Sequence, residues 1–88
     1  MHKEKLFDEI LYILDLSLGL ADADKPRIRS VMTSLFDGKV TQDAIDLLRD
    51  MSQQQNEYAS EGVENIGCLE LAHRLESFAE RLEKILNQ

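Results

Sequence analysis

CLELAHRLESFAERLEKIL, residues 68–86, is the stretch on which the fold turns. Cys68, Leu71, Leu75, Phe78, Leu82 and Ile85 follow alternating steps of three and four residues. Those steps keep side chains on one face of an α-helix. A strand alternates faces at every residue and would scatter them. Ala72, Ala79 and Leu86 widen the stripe into a heptad seam held for about three heptads. Such a seam has to be covered by other helices, so the rest of the chain is read for partners.

Carried backward, the seam fails before Gly67. Val63 and Ile66 fit a different face, one begun by Ala44, Ile45, Leu48 and Met51. Two helices meeting near 62–67 account for the change of phase best, with one long kinked helix as the alternative. Thr41 stands where an N-cap belongs, and Asp43 lies in the first turn, where the helix dipole favours an anion. The polar run SQQQNEYASEG, residues 52–62, either continues that helix or links it to the next.

Upstream, the spacing predicts a helix over 25–36 with Ile28, Val31, Met32 and Leu35 inward and Phe36 at the edge. Asp22 or Asp24 can cap it, and Pro26 is preset for its first turn. Gly38 suits the left-handed residue beyond its end, with Val40 available for an apolar contact. A first helix over 3–20 carries Leu6, Ile10, Ile13 and Leu14 on one face. Phe7, Leu11 and Leu18 widen that face on one side, and Leu20 and Leu16 widen it on the other. Lys5, Asp8, Tyr12, Asp15 and Gly19 form a narrow polar strip. A surface helix normally buries a stripe a little over ~100° wide. The apolar surface of this helix is wider, as for a central helix or one in a subunit interface. The expected fold is all-α, a small antiparallel bundle of three or four helices, with dimerisation as one route to completing its core.

Eighty-eight residues make one domain, 1–88. A domain of this size buries only ~60–65% of the surface its unfolded chain exposes, which makes self-association a common source of stability. Cys68 is the sole cysteine, so no disulfide can form within the chain, and a reducing compartment is consistent with this. The run 10–20 is too short and too polar to span a bilayer and has no signal cleavage site, and the protein is read as cytoplasmic.

The net charge is −7. Residues 1–40 contribute a net −1 and residues 41–88 a net −6. An acidic chain is repelled by nucleic-acid phosphates and drawn to basic protein surfaces. Asp43, Asp46, Asp50 and Glu57 share one side of the third helix, an arrangement that mimicry of nucleic acid would require, but Arg49 interrupts nearby.

Each candidate for chemistry has a simpler account. Glu70-x-x-His73 has the spacing that di-metal helical bundles use twice, yet it occurs once here and faces away from the seam. Glu70 pairs more simply with Arg74, four residues on. LAHRLESFAERL, residues 71–82, resembles the phosphoacceptor helix of histidine phosphotransfer domains, where an exposed His stands on a four-helix bundle. Those domains have Lys three and Gly four residues after the His, and this chain has Glu76 and Ser77. A carboxylate there repels a phosphoryl group, so His73 is read as structural. Cys68, on the seam, is read as a small buried hydrophobe. Lys25, Arg27 and Arg29 crowd a helix start and form either an anion site or a cluster balanced by Asp22 and Asp24. Asp22-x-Asp24 lacks the other ligands of a calcium loop. No nucleophile stands with a base, and no phosphate-binding or dinucleotide motif occurs.

The chain is therefore expected to act without catalytic residues, metal or cofactor, by binding another protein that has a basic surface. Inhibitors, immunity proteins, antitoxins, secretion chaperones and adaptors share this profile. The candidate partner-binding residues are Leu11, Leu16 and Leu18 on the first helix, and Glu57, Tyr58, Glu61 and Glu64 after the third. A structural homo-oligomeric bundle is the alternative reading, and a metal-binding bundle using Glu70 and His73 is the one after it.

Overall fold

The computed structural model describes residues 2–20, 23–61 and 66–88; side chains are described from Lys5 onward, apart from that of Ile66. Among them are four α-helices and no strand: α1 His2–Ser17, α2 Lys25–Phe36, α3 Gln42–Ser60 and α4 Ile66–Leu86. The protein is all-α, as the periodicity predicts. Its contacts divide it into two compact units, Met1–Thr41 and Gln42–Gln88.

In the first unit α1 packs on α2. Leu6, Ile10 and Leu14 are buried from α1, and Ile28, Val31 and Leu35 from α2. α1 stops at Ser17, short of the expected Leu20. The Ser17 hydroxyl donates to the Ile13 carbonyl at 2.9 Å. The Leu18 N–H divides between the carbonyls of Leu14 and Asp15, and Gly19 and Leu20 donate to the third residue back rather than the fourth. The last turn tightens, which is how helix ends use their orphan carbonyls. α1 also buries less than its sequence offers. Phe7, Leu11, Ile13 and Leu18 are half-buried, and Leu16 and Leu20 are exposed.

α2 begins and ends where the sequence places it. Of the two candidate caps, Asp24 acts: its Oδ1 accepts the Arg27 N–H at 3.3 Å. Asp22 lies outside the described residues. Pro26 occupies the first turn, where a missing N–H breaks no helical bond. At the other end the Lys39 N–H reaches the Ser34 carbonyl at 2.9 Å and the Gly38 N–H reaches Leu35 at 3.0 Å. This paired closure requires a left-handed residue between the helix and the exit, and Gly38 takes it at φ 74°. Val40 is half-buried.

The second unit is a helical hairpin. α3 and α4 pack closely, and the phase break near 62–67 separates two helices rather than kinking one. A short connection between packed helices makes them antiparallel neighbours. Gly62, Val63, Glu64 and Asn65 lie outside the described residues. Ala44, Ile45, Leu47 and Leu48 are buried from α3, and Ala72, Leu75, Phe78, Ala79 and Leu82 from α4. Fully burying one such large side chain contributes ~1.5–3 kcal/mol. Cys68, Leu71 and Ile85 on the seam are half-buried, as is Met51.

The polar run after Met51 continues α3. Its inner positions are small: Ser52 and Ala59 follow the buried Ile45 at steps of seven residues. Ser52 is buried, and its hydroxyl donates to the Ala72 carbonyl of α4 at 2.8 Å. A small side chain lets the backbones approach, and the hydrogen bond removes the penalty of burying a hydroxyl. On the solvent side Gln54 donates to the Tyr58 oxygen at 3.1 Å, and Gln53 to Glu57 at 3.5 Å, each one turn on.

Candidate protein-binding surfaces

On α1 the three predicted residues do not form one surface. At ~100° per residue, Leu11 and Leu18 lie on one flank of the buried face and Leu16 on the other. Leu11 and Leu18 are half-buried, whereas Leu16 is 59% exposed. Leu16 stands one turn beyond Tyr12, which is 66% exposed. In the sequence Tyr12 belongs to the polar strip. Its signal was the 4-3-4 spacing of Lys5, Glu9, Tyr12 and Leu16, a second and weaker seam beside the main one. All four are exposed, with Asp8 and Asp15 also exposed beside Tyr12. Leu20, in the turn after α1, is 58% exposed.

α2 carries a matching ridge. Lys25, Arg29, Met32 and Phe36 follow the same 4-3-4 spacing; Met32 is half-buried and Phe36 is 73% exposed. Lys25 and Arg29 of the basic cluster are exposed at the start of α2, and Arg27 is half-buried. The Arg27 N–H, a donor that an anion would take, is held by Asp24.

On the second unit Glu57, Tyr58 and Glu61 are exposed near the end of α3, and Tyr58 keeps 40% of its surface in water. Glu64 lies outside the described residues. Asp43, Asp46, Asp50 and Glu57, all exposed, follow steps of three, four and seven, so they share one side of α3, and Glu61 is exposed in the turn just after it. Arg49 is turned toward α4. Its Nε lies 3.8 Å from a Glu76 oxygen and its Nη1 lies 3.1 Å from a Glu83 oxygen. The hydrogen bond that Arg49 donates to Glu83 is the main cause that raises its pKa above the ordinary arginine range. Partial desolvation opposes it, and the charges of Glu83, Glu76 and, least, Asp46 add to it.

Glu70 and His73 are exposed on α4. Among the described residues no three His, Cys, Asp or Glu side chains converge as metal ligands. Cys68 is a free, half-buried thiol. No described helix is long and apolar enough to cross a membrane. No protein-family model, curated protein sequence or solved structure matches the chain.

Proposed function

We propose that this chain is a non-catalytic binding module for another protein, in the manner of an inhibitor, immunity protein, chaperone or adaptor, and that its partner presents a basic surface. One observation carries the reading: an aromatic side chain, Tyr58, stands exposed beside Glu57 and Glu61 on a helix side whose ionisable groups are all acids. A field of one sign raises the rate of encounter with the opposite sign. A Tyr at the contact supplies apolar area and a hydrogen-bonding oxygen at low entropic cost. The apolar surfaces around Leu11, Leu16 and Leu18 add docking area on the first unit. The lone Cys68 suits a reducing compartment, and the proposal assigns the protein to the cytoplasm.

The test is capture of the partner from the protein's own source by the tagged chain. Tyr58→Ala, and the pair Glu57→Lys with Glu61→Lys, are expected to release the captured protein, and raised salt is expected to weaken capture of the parent chain. Arg81→Glu, an exposed change on α4, is expected to leave it intact. Capture that survives both variants and high salt would refute this surface.

A further inference from the structure

We infer that the first unit pairs with a second copy of this chain, α1 of each copy lying against α2 of the other. This pairing leaves the α3 surface to the partner proposed above and assigns Leu16, offered there as added docking area, to the second copy.

The unit leaves two unpartnered ridges in water. The α1 ridge is acidic and apolar: Tyr12 and Leu16 stand with Glu9, and Asp8 and Asp15 flank them, against one base, Lys5. The α2 ridge is basic and apolar: Lys25 and Arg29 stand in line with Met32 and Phe36. Among the described residues, Asp8, Glu9, Asp15, Lys25 and Arg29 have no salt-bridge partner. Both ridges have the 4-3-4 spacing with which helices interlock along a seam.

Charge selects the occupant. Pairing α1 with the α1 of a second copy would bring Asp8 and Asp15 of one helix toward those of the other, and like charges facing across a contact are strongly unfavourable. Pairing α1 with α2 sets three acids against two bases and puts Tyr12 and Leu16 near Met32 and Phe36. A two-fold axis then makes the contact twice, because each copy offers both ridges. A Tyr or Phe can bury ~150–250 Å², so Tyr12 and Phe36 counted on both copies cover an appreciable share of the ~1,200–2,000 Å² of a stable interface.

The test reverses one ridge at a time in the full chain, with sedimentation equilibrium as readout and circular dichroism as the check on folding. The parent chain is expected to dimerise as concentration rises. Glu9→Lys with Asp15→Lys in one chain, or Lys25→Glu with Arg29→Glu in another, is expected to weaken the dimer at least ~10-fold, since each contact then opposes like charges. Mixing the two variant chains is expected to restore it, because the mixed dimer has one parental contact and one with both signs reversed. A parent chain that stays monomeric at its highest soluble concentration would overturn the inference. So would two folded variants that dimerise like the parent, or that fail to recover on mixing.

Discussion

The two halves of this molecule use their apolar side chains differently. The hairpin 42–88 keeps most of its own inside: among the described residues its most exposed large hydrophobics, Leu69, Tyr58 and Leu86, range from 47% down to 39%. The unit 1–41 leaves Phe36, Tyr12, Leu16 and Leu20 between 73% and 58% exposed. Helix length accounts for part of the difference. α3 and α4 have 19 and 21 residues, and α1 and α2 have 16 and 12. Longer helices in antiparallel register present more turns to one another, so a seam can close over its own length. The hairpin adds a buried cross-helix hydrogen bond and a two-carboxylate clasp on Arg49. One half closes over its own apolar seam, and the other leaves apolar side chains in water.

That contrast can be broken or sharpened by substitution. The largest effect is expected in the hairpin: Leu75→Ala, at a fully buried seam position, should lower the unfolding free energy by about 2–5 kcal/mol in a urea titration. A loss below ~1 kcal/mol would mean that the α3–α4 seam is not the main store of stability. Next comes Ser52→Ala, which removes the hydroxyl bonded to Ala72 and should cost about 0.5–1.5 kcal/mol by the same titration. No change would show that the small side chain alone matters there. The smallest effect belongs to the first unit: Phe36→Ser should leave stability within about 0.5 kcal/mol at low protein concentration. A large loss there would place Phe36 in the core and dissolve the contrast.

Much of this was legible in the chain. α2 could be bounded by reading alone because both ends carry explicit stop signals, Asp24 with Pro26 and Gly38. The α4 stripe named Leu75, Phe78 and Leu82, and helical phase placed Glu70 and His73 outside. Ser52 was not legible as a core residue. A hydroxyl at an inner position is ambiguous until a carbonyl is found to receive it, and the acceptor, Ala72, is twenty residues away. Leu47 was missed because a wide helical stripe shows its edge only when a neighbour covers it. Leu16 and Tyr12 are the reverse case. Their spacing was visible, but which flank of α1 meets water depends on what packs beside it.

By itself the sequence determined the all-α class, the phase of each helix and the acidic bias of the second half, because 3.6-residue periodicity, capping and charge are local properties. Only the tertiary structure decided which apolar residues are buried, that Ser52 bridges to α4, and that Arg49 turns to Glu76 and Glu83. Burial and pairing depend on groups brought together from distant parts of the chain, and helical phase supplies the faces without naming their partners.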